Sequence, residues 1–115
     1  MKYPKLFEPA ALGSLNLPNR IVLSPMHTNF TIGNKYTEKY IEYYKERAKG
    51  GVGLIITAHV MAEVDVDPYP TTFGYPTIDS AGEVKYFAEL TEAVHRYGTK
   101  IAIELSPGTG RLADE

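Results

Sequence analysis

The chain has 115 residues, 43% of them apolar and 23% charged, and 12 Lys+Arg against 14 Asp+Glu leave a formal net charge of −2. That mix suits a soluble globular chain and excludes a collagen, a disordered tract and a polycationic binder of nucleic acid or anionic membrane. No Cys is present, which excludes a disulfide framework and a thiolate metal site within these residues.

Residues 1–20 are punctuated by Pro4, Pro9, Gly13, Asn16, Pro18 and Asn19, which predicts turns or a small hairpin. Met1-Lys2-Tyr3-Pro4 lacks the apolar stretch of a secretory signal, and a cytoplasmic location is expected. Ile21-Val22-Leu23, stopped by Pro25, reads as a short buried strand, and Thr28–Asn34 reads as a loop. Thr37 is placed to cap a helix whose apolar face is Tyr40, Ile41, Tyr44 and Ala48, with Gly50-Gly51 as its left-handed stop. Val52–Ala58 is nearly all apolar, as a strand covered on both faces should be. No apolar run approaches the roughly 20 residues of a membrane span.

His59–Asp79, with Pro68, Pro70, Gly74 and Pro76, reads as a long loop. Ser80 and Glu83 have the spacing of a capping box. Val84, Phe87, Thr91 and Val94, flanked by Leu90 and Tyr97, form the stripe of a second helix that Gly98 ends. Lys100–Leu105 is the third strand, and Ser106–Arg111 a Gly-rich loop. Strand–helix–strand–helix–strand, with strands too apolar to be half-exposed, predicts an α/β fold with a parallel sheet.

In such a sheet ligands gather at the carboxyl ends of the strands. Ser24–Thr28, Thr57–His59 and Glu104–Ser106 are those ends. A buried Glu104 needs a partner, such as an Arg or a backbone N–H. His27, His59 and Glu104 also make up the two-His, one-carboxylate set of a metal-dependent barrel enzyme, against the ordinary reading of each His as a hydrogen-bonded polar residue. His95, on the second helix, reads as a packing or capping residue. Gly108–Arg111 offers an anion cradle, a weak signal by itself, and Glu63–Asp67 lacks the ligand spacing of a calcium loop. Tyr40, Tyr43 and Tyr44 suit helix packing rather than base stacking.

Taken in order, these segments resemble a known family. Leu6-Phe7-Glu8-Pro9, Leu17-Pro18-Asn19-Arg20-Ile21-Val22, Ser24-Pro25-Met26-His27-Thr28 and Tyr44-Lys45-Glu46-Arg47-Ala48-Lys49-Gly50-Gly51-Val52-Gly53-Leu54-Ile55-Ile56-Thr57 are similar to stretches of the old yellow enzyme family of flavin-dependent ene-reductases. The Met-His-Thr triplet leans toward its 2,4-dienoyl-CoA, enoate and bile-acid reductase branch. Ala93-Val94-His95, Gly98, Lys100-Ile101 and Gly110-Arg111 complete a resemblance over essentially the whole chain.

The resemblance implies the first three βα units of a (β/α)8 TIM barrel carrying non-covalent FMN. It also implies NADH or NADPH as reductant, and an electron-poor C=C bond in a small unsaturated carbonyl or acyl-CoA substrate. Pro25, Met26 and His27 would line the flavin ring, and Ala58 would lie small beneath it. Glu104 stands where the family usually carries Gln; a carboxylate accepts from the flavin N3–H but cannot donate to the carbonyl beside it. Pro107-Gly108 stand where many members carry a His, which weighs against a substrate role for that loop. The bland alternatives are hydrogen-bonding roles for Asn19, Arg20 and Arg47 and a core role for Ala58.

A TIM barrel takes about 250 residues. The resemblance therefore places the catalytic pair and, in the iron–sulfur branch, a cluster and FAD beyond Glu115. On that expectation residues 1–115 are inactive alone. The alternative is a non-catalytic βα module that self-associates or complements a partner chain.

Overall fold

The structure is a computed structural model that describes residues 2–33, 35–63 and 75–108. The opening segment forms a 3-10 turn, Pro4–Phe7, and the predicted hairpin, in which β1 (Ala10–Leu12) pairs antiparallel with β2 (Leu15–Leu17). Gly13, at φ 58, supplies the left-handed residue that reverses the chain. Then come β3 (Val22–Leu23), a second hairpin of β4 (Thr31–Ile32) and β5 (Lys35–Tyr36), and α1 (Glu38–Lys49). The pattern predicts a loop where β4 and β5 stand. They are two-residue strands around Gly33, too short to show an alternation.

The remaining elements are β6 (Leu54–Met61), α2 (Ala81–His95) and β7 (Lys100–Ser106). The predicted sheet is parallel, in the order β3-β6-β7, with α1 and α2 as the crossovers. No helix among the described residues is long and apolar enough to cross a membrane.

The core lies between the two helices and one face of β6. Tyr40, Tyr44 and Ala48 of α1 meet Phe87, Leu90 and Val94 of α2 over Ile55 and Val60. Spacings of three and four residues put each helical triplet on one face. The α2 stripe is rotated from the predicted one: Leu90 is fully buried, while Val84 and Tyr97 face outward. Tyr36 stacks on Tyr86 at 4.7 Å and meets Tyr40 and Phe87 edge-on at 5.1 and 4.6 Å. Such pairs contribute about 0.5–1.5 kcal/mol each beyond the area they bury.

The caps differ in their chemistry. Ser80 accepts from the Glu83 N–H at 3.5 Å, as the capping-box spacing predicts. Thr37 has the extended backbone of a cap, but its hydroxyl donates to the Phe30 carbonyl at 2.5 Å and pins the second hairpin to α1 instead. The Tyr86 hydroxyl donates to the Thr37 carbonyl, tying α2 to the same point. Gly50 keeps a helical backbone, and Gly51, at φ 91, makes the left-handed stop.

Two expectations about the strands are corrected. β6 continues through His59 to Met61, so the long loop begins later; its described end returns to the sheet where Met61 donates to the Pro76 carbonyl at 2.8 Å. β7 is an edge strand among the described residues, exposed from Ala102 through Leu105 rather than covered on both faces. The bland reading of Asn19 holds: its amide donates to the Gly51 carbonyl at 2.7 Å and its Oδ1 accepts from the Ile21 N–H at 3.0 Å. Arg20 lies 3.6 Å from Glu8, and Arg47 donates to the Tyr43 carbonyl at 3.0 Å.

Gly53 lies directly against Asn19, where an added Cβ would come within 2.6 Å of its Oδ1 and 2.7 Å of its carbonyl oxygen. Gly53→Ala should therefore lower stability by about 1–3 kcal/mol, read as a reduced denaturation midpoint in urea. Burial also pushes the Tyr36, Tyr40 and Tyr44 phenols upward from their ordinary value, with Glu83 adding to the effect at Tyr36. Unfolded tyrosines ionise near pH ~10 while these stay neutral, so the folded state holds more protons above that point. Stability should be unaffected by these groups below pH ~10 and should fall as pH rises beyond it. Their phenolate absorbance should appear together with the loss of helical circular dichroism.

Candidate functional site

Parallel pairing carries the ends of β3, β6 and β7 to one edge of the sheet. Beyond β3, Pro25, Met26 and His27 are exposed, Met26 at 55%. In β6, Ala58 is buried at 2% and precedes His59, whose register partner in β7 is Glu104. Glu104 is exposed, so its carboxylate keeps its water and the partner expected for a buried Glu is not required.

The two imidazoles are joined by a residue that the sequence reading passed over. Tyr75 lies against His27 at 4.6 Å and against His59 at 4.7 Å, tilted in both contacts. Its place in a Pro-rich stretch without periodicity hid it. Among the described residues no three His, Asp or Glu side chains converge as metal ligands. The metal-site reading of His27, His59 and Glu104 is corrected on that geometry: both histidines are engaged with an aromatic ring. His95 is exposed in the last turn of α2, so it does not pack; a basic group there suits the negative end of the helix.

The β6–β7 register breaks next to Ala58. Ile56 pairs with Ala102 and His59 with Glu104, so two residues, Thr57 and Ala58, face the single Ile103. This is a β-bulge. Around it two side-chain hydroxyls take up backbone N–H groups. Tyr44 Oη accepts from the Ala58 N–H at 2.7 Å, and Thr57 Oγ1 accepts from the Glu104 N–H at 3.3 Å. Tyr44 and Thr57 were legible only as apolar-face and strand residues.

Ser106 Oγ accepts from the Gly108 N–H at 3.2 Å and starts the turn out of β7. The rest of the Gly108–Arg111 cradle, and Val64–Asp67 of the acidic loop, lie outside the described residues.

Residues 5–115 match the sequence model of the NADH:flavin oxidoreductase / NADH oxidase family. The chain is 37% identical over 115 residues to the cinnamate reductase of Clostridium sporogenes, a match covering 97% of this chain and 17% of that protein. The old yellow enzyme of Trypanosoma cruzi superposes with a TM-score of 0.79 at 28% identity, over 91% of this chain and 27% of that one. Morphinone reductase, in complex with tetrahydroNAD, superposes with a TM-score of 0.76 at 32% identity, over 89% of this chain and 27% of that one. The chain thus spans about a sixth of its curated relative and about a quarter of these structures. Its parallel βα units match their N-terminal portion.

The Tyr75 contacts are testable by themselves. Tyr75→Leu should shift the ring-proton NMR signals of His27 and His59 together and leave exposed His95 unmoved. A shift at one histidine alone would separate the two contacts.

Proposed function

This chain belongs to the NADH:flavin oxidoreductase / NADH oxidase family, and on that premise we propose that it forms one wall of an FMN site in an NAD(P)H-dependent reductase of electron-poor C=C bonds. The observation that carries the reading is a convergence. Pro25, Met26 and His27 follow β3, while Ala58 and Glu104 lie in the carboxyl-terminal halves of β6 and β7, which run parallel to it.

The residues present suit a flavin. Met26, 55% exposed, offers uncovered apolar surface to a flat ring, and exposed Glu104 offers an acceptor to its polar edge. FMN, when bound, supplies the hydride chemistry that links NAD(P)H to an unsaturated substrate. Pro25, Met26 and His27 would line the ring, with His27 oriented by Tyr75. Ala58 would leave room beneath it, where a longer side chain would collide. Glu104 would accept the flavin N3–H. Its negative charge would oppose further negative charge on the reduced ring.

The likeness to a cinnamate reductase supports an enoate among the enoate, enone and dienoyl-CoA substrates of this reading. An iron–sulfur cluster and FAD, where the branch has them, would belong to parts of the relatives that this chain does not span. Exposed Val22, Ile103 and Leu105 on the sheet support a further proposal. Residues 1–115 alone would be inactive and would self-associate until more polypeptide covers them.

The test is the natural protein carrying these residues, purified and assayed for tightly bound FMN. Glu104→Gln should raise its two-electron reduction potential by roughly 20–45 mV, equivalent to about 1–2 kcal/mol. A protein without flavin would overturn the whole reading. Flavin bound with potential and affinity unchanged by Glu104→Gln would remove Glu104 from the ring's edge.

A further inference from the structure

Two of the five residues assigned to the flavin wall have their backbone N–H groups held by side chains. The Ala58 N–H goes to Tyr44 Oη and the Glu104 N–H to Thr57 Oγ1. Both acceptors are buried in the described structure, Tyr44 at 1% and Thr57 at 0%. Tyr44 belongs to α1, on the outer side of the sheet, and reaches the strand through the core.

The bulge has a consequence for which side each residue faces. Ile55 and Val60 both join the core cluster, although five is an odd spacing and a regular strand would turn them to opposite faces. One extra residue at Thr57–Ala58 restores the parity and keeps the helix-side contacts on either side of the break. A bulge interrupts the ladder, and buried N–H groups near it need acceptors. The two hydroxyls are those acceptors.

We propose that Tyr44 and Thr57 are positioning residues of the flavin site, with Tyr44 fixing Ala58 and Thr57 fixing Glu104 through the bulge. The inference rests on the flavin reading for its functional half only. Its structural half, the capture of the Ala58 N–H by a helix phenol, stands separately.

Tyr43 supplies the control. It neighbours Tyr44 on α1, is half-buried, and its hydroxyl makes no hydrogen bond among the described residues. In the natural full-length protein, Tyr44→Phe should speed amide exchange at Ala58 and raise the FMN dissociation constant about five- to twelve-fold, the loss of one buried hydrogen bond. It should also shift the visible flavin spectrum. Tyr43→Phe should do none of these. Thr57→Val should move the flavin potential and Thr57→Ser should restore it, which keeps the inference testable if Tyr44→Phe fails to fold.

A folded Tyr44→Phe with Ala58 exchange and FMN affinity unchanged would overturn the role of Tyr44. Thr57→Val with the wild-type potential would overturn that of Thr57. If the wild-type protein binds no flavin, the proposed function fails, and Ala58 exchange in Tyr44→Phe still decides whether the phenol holds the bulge.

Discussion

The hydrogen bond from the Ala58 N–H to the Tyr44 phenol joins the outer helix layer to the strand at the centre of the sheet. Its importance follows from burial. β6 is covered on both faces, with Ile56 and His59 its only residues that are not fully buried. A break in its ladder therefore leaves N–H groups where water cannot serve them, and an unmet one costs about 1–3 kcal/mol. Phe at position 44 would pack the same core but leave that donor without its acceptor. A phenol packs its ring against Tyr40 and Tyr43 while its tip reaches the strand, so one side chain meets both demands.

The same economy recurs around Thr37 and Asn19. Thr37 closes the second hairpin onto α1 through its hydroxyl and receives Tyr86 at its carbonyl. Asn19 bonds to Gly51 and Ile21 while Gly53 leaves space for it. In each case a short polar group joins segments that are distant in sequence. The apolar core then sets how the helices lie, and these polar ties set where the loops at the strand ends begin.

Much of this architecture was legible in the sequence because it rests on periodicity. The Tyr40–Tyr44–Ala48 face, the Ser80 cap and the run of apolar residues in β6 all follow repeats that a linear chain displays. What escaped was non-periodic or depended on partners far along the chain. The second hairpin is built from two-residue strands, Thr37 spends its hydroxyl on Phe30, and Tyr75 meets two histidines from different strands. The exposure of β7 escaped for another reason. Its composition is that of a strand covered on both faces, and the surface that would cover it is not among the described residues. The proposed site residues come from the family's motifs, whereas the bulge beside Ala58 and Glu104 has no signature in a single sequence.

The bulge also gives a residue on α1 a way to bear on the proposed site at the strand ends. A regular β6 would need no help from the helix to hold its backbone, and the helix would contribute packing alone. Once an extra residue is inserted at Thr57–Ala58, ladder geometry no longer fixes the height of Ala58 above the sheet. The length of the Tyr44 side chain, anchored by the α1 core, sets it instead. Thr57 does the same for Glu104 from within the bulge. Coupling of this kind makes the outer layer part of the site's geometry without any contact between Tyr44 and a ligand. It places the constraint on a hydroxyl at position 44 and on a hydroxyl-bearing residue at 57, rather than on their bulk.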